Sequence, residues 1–281
     1  MAKTVLITGC SEGTIGNSLA IEFAKRGWRV YATARNVTSI SNLTSRSNIV
    51  TLGLDITKLE STLAARERIE RDTGGKLDLL YHNAGVRYIA MAIDTYKPDD
   101  NYIPIEDMAM FETNVTAIAA ATRVFAPLLI AAKGTIAMTG SVSTFIPQPG
   151  SSMYNASKAA LSMYARTLRL ELKPLGVKVV LVLTAAVATK MTSTRLQFPQ
   201  DSVYRPVADK VNKGWDDLDK SAMEAAEYSR RVVDKVSRAN PPEIVWEGAG
   251  WVSVWLVEFL GLQWVYPWLF ARWHGLDKPI E

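Results

Sequence analysis

The chain has 281 residues, of which 48% are hydrophobic and 21% are charged, so it is long enough to bury the core of one large α/β domain. Its net charge is +4 and its lysines and arginines are interspersed, which excludes a basic arm for nucleic acid. The single cysteine, Cys10, excludes an internal disulfide and favours a reducing, cytosol-facing compartment. A strand-like run begins at Thr4, so no signal peptide is expected ahead of it.

The first predicted unit is a strand, a glycine turn and a helix. Residues Thr4 to Thr8, TVLIT, fit a buried strand, and the following helix stops at Gly27. Between them lie Gly9, Gly13 and Gly16, and glycines let backbone N–H groups approach a pyrophosphate at a helix N-terminus. Only the last two fit the second half of G-x-G-x-x-G, so a purely structural turn stays an alternative.

The second and third predicted strands run from Trp28 to Ala34 and from Ile49 to Leu54. In dinucleotide-binding folds, an acid about twenty residues past the glycines holds the ribose 2′-hydroxyl of NAD. Arg35 stands at that place instead, and a guanidinium suits the 2′-phosphate of NADP. A solvent-facing arginine is the alternative. Asp55 either contacts the adenine amine or caps the next helix.

The fourth predicted strand, Leu77 to Tyr81, leads into His82 and then Asn83-Ala84-Gly85. This places the four residues at the carboxyl edge of the sheet, where the ligand crevice of such folds forms. His82 is either a proton carrier or, as we favour, a structural residue that holds neighbouring loops. Residues Val86 to Glu106 indicate a loop over the site or a short irregular excursion.

The remaining predicted elements complete an alternation of strands and helices. A helix from Glu106 to Leu129 carries Asn114, and a fifth strand from Gly134 to Thr139 is followed by Ser141. A sixth strand runs from Val177 to Leu183. This order predicts an α/β fold with a Rossmann-type, doubly wound parallel sheet and helices on both of its faces.

A candidate catalytic group lies between the last two strands. A helix that begins near Tyr154 places Tyr154 and Lys158 on one face, because residues four apart share a face. A nearby ammonium is expected to lower the pKa of the phenol from its ordinary ~10. Tyr154 could then exchange a proton with a carbonyl or alcohol oxygen, to which Ser141 would donate a hydrogen bond. A chance Tyr and Lys on a surface helix is the alternative.

Taken together, these motifs resemble the classical short-chain dehydrogenase/reductase family over roughly residues 3 to 190. The shared features, which occur in the family's order and spacing, are the TGxxxG-type turn, Asp55, the Asn-Ala-Gly at Asn83, Asn114, Ser141 and YxxxK. The resemblance implies a catalytic tetrad of Asn114, Ser141, Tyr154 and Lys158. In the family the asparagine holds a water that relays protons to the lysine, and the lysine also contacts the nicotinamide ribose.

The predicted cofactor is NADPH or NADP+, and no metal site is predicted. The motifs and the resemblance together predict the following cofactor-binding residues: Gly9, Ser11, Gly13, Ile15, Arg35, Asp55, Asn83, Lys158, Val187 and Thr189. Of these, Thr189 matches the family's threonine that contacts the carboxamide.

More narrowly, the stretches GCSEGTIG, VYATAR, ASKAAL and LRLELKPLGVKV are similar to a fungal subgroup. Its best-known member type is the NADPH-dependent 1-acyldihydroxyacetone-phosphate reductase. Three features depart from the family: His82 in place of an asparagine, Thr184-Ala185 in place of Pro-Gly, and the long stretch from Val86 to Glu106. Because these surround the substrate side, they suit a secondary-metabolism ketoreductase as well as a lipid enzyme.

The resemblance therefore implies an NADPH-dependent reductase of a ketone or aldehyde, in which hydride passes from the nicotinamide while Tyr154 protonates the oxygen. Two alternatives come from other classes. One is a redox-neutral isomerase or cyclase of fungal secondary metabolism, and the other is a dinucleotide-sensing binding protein.

We divide the chain into a Rossmann core (1–190), a substrate-covering helical region (191–240) and a Trp-rich C-terminal segment (241–281). The middle region has charged helical patterns, including Asp216 to Ala239. Six of the eight tryptophans lie between Ile244 and Trp273, where Glu258 and Pro267 argue against a spanning helix. The segment packs on the core, forms a dimer contact or lies at a membrane interface. We expect a homo-oligomer, dimer or tetramer, in the cytoplasm or peripherally on endoplasmic reticulum or lipid droplets.

Overall fold

The computed structural model describes residues 2–94, 104–191 and 194–280 of the chain. Within these residues seven parallel strands form one sheet in the order β3-β2-β1-β4-β5-β6-β7. The predicted Rossmann-type doubly wound fold is confirmed. The strands are β1 Thr4–Ile7, β2 Arg29–Ala34, β3 Ile49–Gly53, β4 Leu79–His82, β5 Thr135–Ser141, β6 Lys178–Thr184 and β7 Ile244–Glu247.

Helices cover both faces of this sheet. They are α1 Ile15–Lys25, α2 Leu59–Thr73, α3 Ile105–Phe111, α4 Ala117–Ala132, α5 Ser152–Leu172, α6 Ala208–Lys220, α7 Ala225–Val236, α8 Trp251–Phe259 and α9 Val265–His274. Because strand side chains alternate between faces, Val5 and Ile7 of β1 join the core under α1 and α7, while Leu6 joins the core under α2, α4 and α5. Burial on both faces explains why the strands are almost continuously apolar.

The predicted helix from Glu106 to Leu129 extends from Ile105 to Ala132, and a π-helical turn at Glu112–Thr116 joins α3 to α4. Among the described helices, this stretch alone has the length and apolar composition that could cross a membrane. Inside the protein, 44% of its most apolar window is buried, and length and composition alone do not make it a spanning helix. The predicted loop from Val86 to Glu106 falls partly on residues 95–103, outside the described residues.

Two predictions for the C-terminal third are wrong. The helical pattern from Asp216 to Ala239 is interrupted, because α6 ends at Lys220 and α7 begins at Ala225. The sequence analysis also overlooked β7, a strand of four residues that pairs with β6. Its apolar residues continue into the Trp-rich stretch, so hydrophobic periodicity does not distinguish the strand from the helices that follow it. The division into three regions stays a prediction. Residues after 190 nevertheless take part in the core of the first region, because α7 packs on α1 and Val245 of β7 is buried beside it.

The Trp-rich segment has two different surfaces. Helix α9 buries Tyr266, Phe270 and His274 and packs against α6, whereas no residue of α8 is buried. We call the exposed large apolar side chains of this segment the apolar tail surface: Val252, Trp255, Leu256, Phe259, Leu260, Trp264, Trp268 and Leu269. Packing on the core therefore accounts for the inner face of α9 only.

Candidate active site

A cavity of about 430 Å³ opens at the carboxyl ends of β1, β4, β5 and β6. Its lining runs from the glycine turn after β1 to the residues around Tyr154 and Trp215. Because parallel strands end at the same edge of the sheet, motifs that are distant in the chain converge here. The cavity has two ends, which we call the turn end and the tyrosine end.

At the turn end, the backbone passes too close to its neighbours for most side chains. Gly9 has a φ of +73°, and a Cβ there would lie 2.8 Å from the Cα of Ala84. A Cβ on Gly16 would lie 2.3 Å from the Gly9 oxygen. Asn83 secures the turn, because its Nδ2 donates to the carbonyl oxygens of Thr8 (3.1 Å) and Gly9 (2.9 Å). This close-packed cradle at the start of α1 fits the pyrophosphate of a dinucleotide.

Most of the predicted cofactor residues line this one cavity. They are Gly9, Ser11, Ile15, Arg35, Asp55, Asn83, Lys158, Val187 and Thr189. Gly13 is not among the lining residues. Its φ of +81° requires glycine, and a Cβ there would meet the Lys190 side chain at 2.9 Å. Its predicted contact with a cofactor stays a prediction.

Arg35 and Asp55 lie beside the turn, where the sequence predicts the adenosine half of a cofactor. Arg35 follows β2 and is exposed at the cavity. Asp55 Oδ1 accepts hydrogen bonds from the backbone N–H (3.0 Å) and the hydroxyl (2.8 Å) of Thr57. The N-cap of α2 is Lys58, so Asp55 stabilises the turn before the helix rather than capping the helix itself.

At the tyrosine end, α5 and β5 bring the predicted catalytic side chains together. Ser141 is the last residue of β5, and its Oγ accepts from the backbone N–H of Ser143 (3.1 Å). Lys158 Nζ donates to the carbonyl oxygen of Thr139 (2.9 Å) and lies 5.8 Å from the centroid of the Tyr154 ring. Ser141, Tyr154 and Lys158 all line the cavity.

The electrostatics of Tyr154 differ from the prediction. Burial raises the pKa of Tyr154, and the charge of Arg87 and the hydrogen bond with Ser141 offset part of that rise. Burial also lowers the pKa of Lys158 to about 8. The predicted lowering of the phenol pKa by the lysine is therefore not found in the protein alone, because desolvation is the largest effect on Tyr154 and the charge that opposes it comes from Arg87.

Asn114 lies behind the cavity rather than in its lining. The π-helical turn carries it, fully buried, against the loop after β4. Its Oδ1 accepts from the Val86 N–H (2.9 Å), and its Nδ2 donates to the Val86 carbonyl (2.9 Å) and to Ser157 Oγ (3.1 Å). It thus fixes the loop that leads from Gly85 to Arg87. Its role in a proton relay stays a prediction.

His82 points away from the chemistry. Its Nε2 lies 3.0 Å from Thr122 Oγ1, and the Thr122 hydroxyl donates to the Ile118 carbonyl, so the Nε2 carries the proton. Burial lowers the pKa of His82 to about 3, which keeps the ring neutral. These contacts support the structural interpretation, although the residue holds helix α4 rather than neighbouring loops.

The residues that close the tyrosine end belong to no sequence motif and were not predicted. The Arg87 guanidinium lies 4.8 Å from the centroid of the Trp215 ring, and both residues line the cavity together with Gln148 and Asp219. Gln148 is held from behind by His274 of α9, Nε2 to Nε2 at 3.1 Å. Only the position of Arg87, two residues past the Asn-Ala-Gly, could have drawn attention to it.

Comparison with known proteins gives a consistent result. The family model for short chain dehydrogenases matches residues 3–199. A short-chain dehydrogenase of Pyricularia oryzae is 36% identical over 99% of this chain and 96% of its own length. An NADPH-dependent 1-acyldihydroxyacetone phosphate reductase of Schizosaccharomyces pombe is 40% identical over 73% of this chain and 68% of its own. Among solved structures, a short-chain dehydrogenase of Streptomyces avermitilis has a TM-score of 0.78 at 21% identity, covering 100% of this chain and 98% of its own.

Proposed function

This chain belongs to the short-chain dehydrogenase family of oxidoreductases, and we propose that it is an NADPH-dependent reductase of a ketone or aldehyde. The observation that carries the proposal is the convergence of Ser141, Tyr154 and Lys158 on a cavity that continues to the glycine turn. We propose a lipid-like or secondary-metabolite carbonyl as substrate, such as an acyl-dihydroxyacetone phosphate. The name of the fission-yeast relative supports the lipid version.

The side chains would divide the work of a carbonyl reduction. The nicotinamide, when bound, supplies the hydride. Tyr154 donates its phenolic proton to the developing alkoxide, and its raised pKa keeps that proton in place until charge forms on the substrate. Ser141 donates a hydrogen bond to the same oxygen. Lys158, anchored by the Thr139 carbonyl, holds positive charge beneath the ring and would contact the nicotinamide ribose.

At the turn end we propose NADPH rather than NADH. Arg35 stands where an NAD-binding chain carries an acid, and it is free to reach the cavity. A guanidinium can bind a 2′-phosphate through two parallel hydrogen bonds. The backbone cradle around Gly9 and Gly16 would hold the pyrophosphate.

The proposal is tested by NADPH consumption with a panel of ketones and aldehydes, with product analysis both with and without NADPH. We expect stoichiometric conversion of NADPH and carbonyl to NADP+ and alcohol. Product formation without reductant would identify the isomerase or cyclase instead. Tight NADPH binding with no turnover of any substrate would favour the dinucleotide sensor.

We further propose that the apolar tail surface rests on a lipid surface, which fits a peripheral location on endoplasmic reticulum or lipid droplets. The supporting observation is the exposure of Trp264 (72%), Phe259 (71%) and Trp268 (62%) on neighbouring helices. Tryptophan rings favour the membrane interface, and such helices can lie in its plane. Deletion after Asn240 would not test this, because it also removes β7.

Substitution of surface residues provides a cleaner test. The double variant Trp264→Ser/Trp268→Ser should lose flotation with phospholipid vesicles while it keeps its sheet and its NADPH binding. Leu59→Ser removes an equally exposed apolar side chain from α2 and serves as the control. If sedimentation shows instead that the double variant dissociates a dimer, the surface is a contact in the homo-oligomer that we also propose.

A further inference from the structure

Arg87 is a cation at the tyrosine end that the proposed catalytic group does not use. It follows β4 on the loop fixed by Asn114, and its guanidinium stacks over Trp215 at 4.8 Å. Both side chains line the cavity beside Tyr154. The guanidinium is also anchored by a hydrogen bond, because its Nη2 donates to the carbonyl oxygen of Met191. A stacked, anchored arginine presents its planar donors in a fixed direction.

The hydrogen-bond inventory at this end is short of acceptors. The Nε of Arg87 is buried and has no partner in the part of the chain that the structure describes. The Nε1 of Trp215 is likewise buried and has no hydrogen-bond partner among the described residues. Buried donors are usually paired, and leaving them unpaired costs free energy. The described residues therefore leave hydrogen-bonding capacity unmet in Arg87 and Trp215, two residues that line this end of the cavity.

The charges at this end also leave room for an anion. Asp219 accepts from Arg195 Nη2 at 2.6 Å, and Asp216 accepts from Arg195 Nε at 2.6 Å. No carboxylate of the described residues forms an ion pair with Arg87; Asp219 and Tyr154 act on its charge without a direct contact. Burial accordingly lowers the pKa of Arg87. Arg87 is half-buried, and a partly desolvated cation without an adjacent counter-ion is stabilised when a bound anion supplies one.

We infer that Arg87 binds an anionic group of the substrate, a phosphate or a carboxylate, close to the carbonyl that is reduced. The inference rests on the proposed reductase function and names the substrate class of the same site. Proximity to the carbonyl follows because Arg87 lines the same cavity as Tyr154 and Ser141, the side chains that would contact the carbonyl oxygen. An arginine fork matches the oxygens of both anions.

The test compares ketones in pairs, one member with an anionic group and one without it, using the NADPH-loaded enzyme. The first pair is a 1-acyldihydroxyacetone phosphate and the same 1-acyldihydroxyacetone without the phosphate. A second pair, a 4-oxo acid and its methyl ester, distinguishes carboxylate from phosphate. The variants are Arg87→Gln, which removes the charge, and Arg87→Lys, which keeps the charge but loses the fork. Arg123→Gln removes an exposed charge on α4 and is the control.

We expect the wild type to prefer the anionic ketone of at least one pair. Arg87→Gln should raise the KM for that ketone roughly 10- to 100-fold, the range expected for hydrogen bonds to a charged group. The discriminating quantity is the ratio of kcat/KM for the anionic ketone to that for its neutral partner, which should fall by the same factor of roughly 10 to 100, because any effect of Arg87 on the Tyr154 phenol is common to both ketones and cancels in the ratio. Unchanged NADPH affinity shows that the variant is folded. Arg87→Lys should recover part of the loss, and Arg123→Gln should resemble the wild type.

Two results would overturn the inference. Equal losses for the charged and neutral ketones, carried by kcat with a shifted pH–rate profile, would make Arg87 a positioning residue for the Tyr154 phenol. Unchanged kinetics for all four ketones would show that Arg87 touches no substrate. If the wild type reduces none of them, the proposed function fails for these substrates. In that case, calorimetric binding of octyl phosphate to the NADP+-loaded protein tests the anion site without turnover. Wild-type binding that is lost in Arg87→Gln supports the inference, and binding that is absent or unchanged in the variant overturns it.

Discussion

The two ends of the cavity are built by opposite means. The turn end is built around backbone and small residues, and a Cβ added to Gly9 would lie 2.8 Å from the Cα of Ala84. The tyrosine end consists of large side chains from distant segments, such as Arg87 and Trp215. Backbone geometry recognises a group that is common to all dinucleotides, whereas side chains can be exchanged to suit one substrate. The tyrosine end is therefore the end expected to select the substrate.

The ends also differ in how they hold charge. Arg35 at the turn end is exposed, so solvent screens it and its contribution depends on a ligand phosphate. Lys158 at the tyrosine end is 4% exposed, and burial lowers its pKa to about 8. The buried charge of Lys158 therefore lowers the stability of the folded state, and solvent screens it little from groups in the cavity. The following variants test this contrast, from the largest expected effect to the smallest.

Removal of the Tyr154 hydroxyl should affect the tyrosine end alone. Tyr154→Phe is expected to reduce kcat by ~10²–10⁴-fold, the usual cost of losing a positioned acid. NADPH affinity should change little, because the turn end is intact. Steady-state kinetics and a fluorescence titration of NADPH measure the two effects. Tyr164→Phe, on the same helix but outside the cavity lining, is the control. Turnover by Tyr154→Phe within a few-fold of the wild type would refute the assignment.

Reversal of charge at Arg35 should affect the turn end alone. Arg35→Asp is expected to weaken NADPH binding roughly 10- to 100-fold and to improve NADH binding, because the 2′-phosphate loses a charged partner while the ribose hydroxyls gain an acceptor. Titration of both cofactors measures the preference. Arg71→Asp makes the same charge change at an exposed site outside the cavity and should leave the preference unaltered. Equal wild-type affinity for the two cofactors would contradict the prediction.

Lys158 should trade stability for function. Its pKa is about 8 when folded against an ordinary 10.5, so the penalty on the folded state is fully present below pH 8 and disappears as the pH rises towards 10.5. Lys158→Met removes a penalty of up to roughly 3 kcal/mol, but it also loses the bond to the Thr139 carbonyl. We expect a net gain of about 1 kcal/mol at pH 7 together with a loss of activity.

Urea unfolding at several pH values checks this prediction. The wild-type unfolding free energy should rise between pH 8 and pH 10 relative to that of Lys158→Met, since the unfolded chain binds the additional proton over this range. If Lys158→Met is less stable than the wild type, and its unfolding free energy depends on pH in the same way, the buried lysine does not destabilise the folded state.

His82 should have the smallest effect on the reaction. It does not line the cavity, and with a pKa of about 3 it stays neutral over the working pH range. His82→Asn is expected to keep kcat within a few-fold and to leave the pH–rate profile between pH 5 and 9 unchanged. It should cost about 1 kcal/mol of stability through the lost bond to Thr122. Disappearance of one limb of the profile would instead make His82 part of the proton path.

Local patterns predicted the first two thirds of the fold well, for a physical reason. Each strand from β1 to β6 is a short apolar run bounded by turn residues, and each following helix has its own apolar period, so a few neighbouring residues suffice to recognise it. The strand β7 was missed because its four residues are as apolar as the helices that follow. Only pairing with β6 distinguishes it, and that contact joins residues more than sixty positions apart in the sequence.

The same distinction applies to the site. The sequence by itself determined which residues meet at the edge of the sheet, because the glycine turn, Ser141 and the Tyr154-Lys158 pair are short-range patterns placed by strand order. Only the tertiary structure decided the environment of these groups. It buried Tyr154 and Lys158 enough to shift both pKa values, and it stacked Arg87 on Trp215 from 128 positions away. Desolvation and long-range contact depend on everything packed around a side chain, which no local pattern contains.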